Sequence, residues 1–246
     1  MKTFDADGLL NVWERGLNQP PLSRSLMLLA FAFPEMEAET FAKLSLGQRD
    51  RYLLQLREQL FGAFLDNTAL CPVCSERIEW RNRVADYVVA TAEETAAADA
   101  FEIEIEPYRL RFRLPNSLDL AAVAGIGDAR EAQTQLLNRC LLEVQRSGMP
   151  SATELLPDDV AEALVKRMEA LDPQAEIRID LHCPECSHRW DVVFDIASFL
   201  WSEIDEWAQR TLQTVHRLAS GYGWSERAIL NLSPVRRQLY SGMLGL

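Results

Sequence analysis

The sequence predicts an α+β fold, mainly α-helical, with a small antiparallel β part split by a helical insertion. Three observations predict it. Apolar residues recur at helical spacing through the N-terminal part and again from Ile196 onward. The segments Phe101–Glu106 and Arg109–Leu114 alternate strictly between apolar and charged residues, the period of half-buried strands. Two Cys-Pro-x-Cys turns, Cys71/Cys74 and Cys183/Cys186, sit between alternating segments and are separated by 108 residues.

In order along the chain, Leu9, Leu10, Trp13 and Leu17 mark a first helix that ends at the Asn18-Gln-Pro-Pro21 break. A second helix is expected over Leu22–Phe33. Its apolar run, Leu26–Phe33, stops at Pro34 after eight residues, far below the ~20 that span a bilayer, and therefore reads as buried. Ser45-Leu-Gly-Gln48 fits a capping box, in which Ser accepts from a free helix N–H and Gln reaches back. The helix it opens runs through Tyr52, Leu53, Leu56 and Leu60 and stops at Gly62. The whole of this first part, residues 1–66, is expected to be helical.

Strands are expected at Arg77–Trp80 and Val84–Val89, with a loop or weak helix at Ala90–Ala100. If Phe101–Glu106 and Arg109–Leu114 form a hairpin turning at Pro107-Tyr108, Glu106 faces Arg109, Glu104 faces Arg111 and Glu102 faces Arg113. Such a charged face is a solvated surface with weak ion pairs. Pro115 ends the strand, and helices follow at Ser117–Ala124, Ala129–Arg146 and Asp158–Leu171, making residues 115–173 a helical insertion. Strands return at Ala175–Leu181 and Arg189–Phe194. The expected β region thus joins 67–114 with 174–195. A long helix from Ile196 to about Ala219, then two short helices capped by Ser225 and Ser233-Pro234, fill the C-terminal region 196–246.

The two Cys-Pro-x-Cys turns carry the strongest chemical signal. Such a turn sets two thiolates one coordination edge apart and aims backbone N–H groups at the sulfurs, so each supplies half of a tetrahedral site. The halves are built alike, Leu70-Cys-Pro-Val-Cys-Ser75 with Trp80 downstream and His182-Cys-Pro-Glu-Cys-Ser187 with Trp190 downstream. Flanking alternation makes each the tip of a β-hairpin, as in a zinc ribbon. The expectation is one structural Zn²⁺ held by Cys71, Cys74, Cys183 and Cys186. Long separation is tolerable because loop-closure cost grows only logarithmically with length.

Two alternatives stand beside it. One is a dithiol redox pair, which prefers a helix N-terminus that neither turn provides. The other is a pair of split sites completed by His182, His188 or another subunit. The fifth cysteine, Cys140, lies alone in a helical stretch. Of the histidines, His182 and His188 read as solvated or supporting the site from outside, and His216 as a buried or edge core residue on the Ile204, Ala208, Leu212 stripe.

Composition narrows the function classes. With 48% hydrophobic residues in 246, the chain can bury a core without depending wholly on a metal. Its 25 Lys+Arg against 37 Asp+Glu give −12, which repels a phosphate backbone and argues against nucleic-acid binding. The first residues show no basic start followed by an apolar stretch, so the chain is expected in the cytoplasm, where paired cysteines favour metal over disulfide. No Gly-rich phosphate loop, H-E-x-x-H or G-x-S-x-G occurs, and no catalytic residue or small-molecule substrate is expected. Glu203, Asp205 and Glu206 complement a helix dipole. Aromatics on more than one side of the last long helix, Trp201 and Trp207, with Tyr222 and Trp224 after it and Arg236 and Arg237 beyond, are candidate partner contacts.

Three stretches carry a family resemblance: Leu46–Arg57 with Phe61-Gly62; the two knuckles with Arg111–Pro115 and Asp119-Leu120 between them; and Val215–Ala219, Tyr222–Ser225, Ile229-Leu230 and Leu232–Arg237. The chain resembles the baseplate assembly proteins of T-even-type phages and related extracellular contractile injection systems. The resemblance implies a non-enzymatic baseplate component, or a chaperone that escorts hub or spike subunits, cytoplasmic or incorporated in a phage-tail-like particle. It transfers no catalytic residues. The competing reading of a different class is a zinc-ribbon adaptor in transcription or RNA metabolism.

Overall fold

In the computed structural model, which describes residues 5–89, 99–150 and 156–244, the helices begin where local capping chemistry places them. Asp5 accepts from Gly8 N at 2.8 Å and opens α1 (Ala6–Gly16), and Pro21, with its fixed φ, opens α2 (Pro21–Ala32). A short α3 (Ala38–Lys43) precedes α4 (Leu46–Phe61). The capping box forms as expected, with Gln48 N donating to Ser45 Oγ, Ser45 N donating to Gln48 Oε1, and Gly62 at φ 91° closing the helix.

The first part is not helical to residue 66: β1 (Phe64–Leu70) begins directly after Gly62 and pairs antiparallel with β2 (Arg77–Arg83). Residues 84–87 then form a 3₁₀ turn rather than a strand. The expected loop or weak helix at 90–100 falls almost wholly outside the described residues.

The second sheet has the order β3 (Phe101–Ile105), β4 (Tyr108–Phe112), β5 (Leu141–Arg146), β6 (Met149–Pro150). The β3–β4 hairpin exists, but its register is two residues from the expected one. Glu104 pairs with Arg109 and Glu102 with Arg111, because the loop is Glu106-Pro107, joined by a cis peptide, rather than Pro107-Tyr108. Faces are preserved by an even shift. Arg113 therefore leaves the hairpin and turns to Asp119.

Between these strands lie α5 (Ser117–Val123) and α6 (Ala129–Cys140), and after them α7 (Asp158–Leu171). The expected helix Ala129–Arg146 ends at Cys140, and the insertion is not all-helical. Leu137, Cys140, Leu141 and Val144 have the i, i+3, i+4, i+7 spacing of a helix face. A register break opposite Arg111/Phe112 pairs Phe112 with Leu141 and Arg111 with Glu143, leaving Leu142 unpaired and exposed. That bulge puts Leu141 and Val144 on one face of a strand despite their odd spacing. They join Phe101, Leu110 and Phe112 under α7, whose Val160, Leu164, Met168 and Leu171 close this core.

A 3₁₀ turn at Pro173–Ala175 leads to β7 (Ile177–His182), paired antiparallel with β8 (Arg189–Phe194). The chain ends through α8 (Ile196–Tyr222), α9 (Glu226–Leu230) and α10 (Pro234–Met243), the last two capped by Ser225 and Ser233.

Two compact units result, Met1–Ala38 with Ala197–Leu246, and Glu39–Ile196. In the first, Ala208, Val215 and Leu218 of α8 pack with Leu10, Ile229 and Leu230. From Ile204 on, the buried positions of α8 are Ala208, Thr211, Val215 and Leu218, alternating steps of four and three. A strict step of four drifts around the helix by about 40° each time, which carries His216 out to solvent and corrects its expected core place.

Candidate metal centre

Both Cys-Pro-x-Cys turns are tips of two-stranded hairpins, and the tips are superimposable in their bonding. Cys71 N donates to Glu76 O at 2.8 Å and Ser75 N to Cys71 O at 2.9 Å. Cys183 N donates to His188 O at 2.9 Å and Ser187 N to Cys183 O at 3.0 Å. Ser75 and Ser187 occupy the left-handed region at φ 62° and 60°, a conformation costly for a residue with a Cβ and needed to turn the chain back after the second cysteine. The tryptophans are not equivalent. Trp80 pairs with Asn67 and Trp190 with Leu181 beside its own knuckle, where the first hairpin has Ile78.

The hairpins meet at both ends. At the base, the rings of Tyr87 and Phe194 pack at a tilt of 42° with centroids 4.4 Å apart. Gln174, just before β7, donates to Tyr87 O at 3.0 Å and accepts from Val89 N at 2.7 Å. At the tips, Cys71 Sγ lies 3.6 Å from Cys186 Sγ and Cys74 Sγ 3.5 Å from Cys183 Sγ, and all four sulfurs lie within 4.8 Å of one another. Zinc–thiolate bonds of about 2.3 Å place the corners of a tetrahedron about 3.8 Å apart. The cluster fits that edge, and its donor set suits a soft, borderline cation.

Cys71 and Cys183 are buried and Cys74 and Cys186 exposed, so one thiol of each turn faces inward. Burial raises the Cys71 thiol, but N–H groups of Cys74 and Val73 outweigh it and hold it down to about 7. At Cys74 the Glu76 N–H lowers the value, yet burial and the neighbouring thiols of Cys183, Cys186 and Cys71 push it up to about 12. Four thiols this close resist ionising together, and a divalent cation reverses that balance.

Among the described residues these four cysteines form the one His/Cys/Asp/Glu group with metal-ligating geometry; His182 is exposed, and His188 stacks on Trp190 at 5.8 Å. Cys140 is buried beneath the second sheet, its thiol pushed up to about 12 by burial first and then by the Asp119 carboxylate. The candidate contact residues are dispersed within the first unit. Trp201 lies against Gly16 and under the Arg24 guanidinium at 4.5 Å. Tyr222 and Trp224 stack at 4.7 Å, with Tyr240 set edge-on to Trp224. Trp207 and Arg237 line one groove, and Arg236 is exposed.

Sequence reasoning missed the clamp at the base. Tyr87 and Gln174 are 87 residues apart and carry no local motif. It named Asp119 only within a family-like stretch and missed its buried carboxylate, which takes Arg113 at 2.5 and 2.9 Å and Arg139 at 3.0 Å.

Both knuckles, the clamp and the second sheet fall within residues 32–201, which match the family described as T4 bacteriophage base plate protein. The chain belongs to that family. The match spans more than two thirds of its length, and marks it as a structural component of the phage baseplate. No curated protein and no solved structure matches it. As a baseplate-family protein it meets other baseplate proteins, and among its described residues no helix is long and apolar enough to cross a membrane.

Proposed function

We propose that this baseplate protein is non-enzymatic and zinc-stabilised, and that it serves a contractile tail or injection system either as a resident component or as the chaperone that presents a hub or spike subunit. It acts through protein–protein contacts, with one Zn²⁺ on Cys71, Cys74, Cys183 and Cys186 holding the two hairpins together. The observation that carries the reading is that the family match encloses all four cysteines. A structural ion with four thiolates has no open position for substrate. On this reading the aromatic and arginine side chains of the C-terminal region, Trp201, Trp207, Tyr222, Trp224, Arg236 and Arg237, are the contact candidates, and the protein is made in the cytoplasm.

The test is deletion of the gene in its native host, with a tagged copy for recovery. Tails without baseplates, and the tagged chain recovered with hub or spike subunits, are the expected result. A chain found in assembly intermediates but missing from finished particles is the chaperone; one found in both is a component. Complete, contractile tails in the deletion strain would refute the role.

A further inference from the structure

Helix α10 has two apolar faces, and among the described residues only one is occupied. Tyr240 and Leu244 turn inward, where Tyr240 meets Trp224 and Leu244 lies over Gly221. Val235, Leu239 and Met243, at i, i+4 and i+8, form a stripe on the other side and are 66%, 59% and 71% exposed. The stripe runs about 12 Å along the axis, beyond residues 32–201 covered by the family match.

Charge separates this region from the rest of the chain. Residues 207–246 hold Arg210, Arg217, Arg227, Arg236 and Arg237 against the single acid Glu226, a net of +4 in a chain of −12. None of these arginines makes an ion pair among the described residues. Arg236 follows Val235 by 100° around the helix and borders the stripe. Arg210 and Arg237 line a groove on the inward side of α10, with Trp207 and Thr214. Burial lowers the Arg237 guanidinium, and no carboxylate compensates it.

We propose that the outward face of α10 docks an amphipathic helix of a different protein, one whose apolar stripe is flanked by Asp or Glu. Apolar side chains at i, i+4 and i+8 are the pattern a partner helix reads, and the unpaired Arg236 beside them selects an acidic flank and helps steer the encounter. A second copy meeting stripe to stripe would offer Arg236 no carboxylate, only the like-charged Arg236 bordering the other stripe, which costs affinity. An anionic bilayer is less well matched, because the stripe is three side chains long and carries no aromatic anchor. The inference rests on the reading of the chain as a protein-contact component.

Two fluorescent 18-residue helical peptides, sharing one Leu/Ala face and flanked either by Glu or by Lys, test it by anisotropy with the full-length protein. The Glu peptide should bind at least about tenfold tighter than the Lys peptide, and more weakly as salt rises. Leu239→Glu should weaken it by about tenfold or more. Arg236→Glu should lose the preference while keeping the native circular dichroism spectrum.

Equal binding of both peptides, or binding of neither, overturns the proposal. So does a native dimer that Leu239→Glu converts to monomer, and so does flotation with phosphatidylserine vesicles through the same stripe. A chain that joins baseplate assembly in the host but ignores both peptides would sink this surface and leave the assembly role intact.

Discussion

Two carboxylates, Asp119 buried and Asp50 partly so, behave oppositely, and the difference lies in their neighbours. Asp119 has its side chain wholly buried, yet Arg113, with help from the Asn116 N–H and Arg139, outweighs burial and holds its carboxyl below the usual range. Its contribution to stability is therefore present above the unfolded value, about 3.9, and is lost as pH falls through the lower folded one. Asp119→Ala leaves two guanidiniums without their carboxylate and removes the acceptor for Asn116 N, one half of the α5 capping box. It should cost about 2–4 kcal/mol in urea unfolding, whereas breaking an exposed pair such as Arg130–Asp158 should cost far less. Equal losses at the two sites would contradict the assignment.

Asp50 sits beside Arg49 at 2.7 Å, but burial dominates and, with Asp195 and Asp172 nearby, pushes it up to about 6. Because the folded value is raised, its contribution is full below about 3.9 and is lost as pH rises through about 6. Asp50→Asn should therefore gain stability relative to the native chain on going from pH 5 to pH 8, by on the order of 1 kcal/mol. Comparing the two proteins at each pH cancels the pH dependence of metal binding. A constant difference would mean that Asp50 is ionised throughout.

At the scale of elements, what was legible in the sequence is what local chemistry dictates. The Ser45/Gln48 box, Gly62, the Ser225 and Ser233 caps and both Cys-Pro-x-Cys tips follow from a few adjacent residues, and each is found where it was expected. What failed was decided by residues far away in sequence. Strand β5 reads as a helix because its bulge imitates helical spacing, and pairing with β4 chooses between the two. The β3–β4 hairpin kept its faces but moved by two residues, since alternation alone is satisfied by every even shift.

The start of α4 shows local and distant chemistry combined. Ser45 caps Gln48 N, while Asp172, brought from 125 residues away, accepts from Gly47 N at 2.9 Å. A Cβ at Gly47 would overlap that carboxylate and crowd Ala175 N. Gly47→Ala, which raises helix propensity by about 1 kcal/mol at an open site, should here destabilise by about 1–3 kcal/mol in thermal or urea unfolding. A stabilised variant would show that Asp172 is not seated on the helix terminus.

At the scale of the whole chain, the two knuckles join segments 108 residues apart, and the base clamp of Tyr87, Phe194 and Gln174 joins the same hairpins at their other end. The sequence pointed to the four ligands but not to the clamp, because a metal turn has a motif and a packing contact has none. A metal on the four cysteines and the clamp would act on one unit, Glu39–Ile196, so on the proposed reading removing one cysteine should release the ion without unfolding the chain. Cys183→Ser and Cys71→Ser should each abolish stoichiometric zinc, and Cys140→Ser, far from the cluster, should retain it.

X-ray absorption at the zinc edge on the purified native chain tests the shared site most directly. One zinc per chain with four sulfur neighbours at about 2.3 Å is the expected spectrum, lost in both single-knuckle variants. Two zincs per chain, nitrogen or oxygen in the first shell, or a full zinc complement in either variant would contradict it.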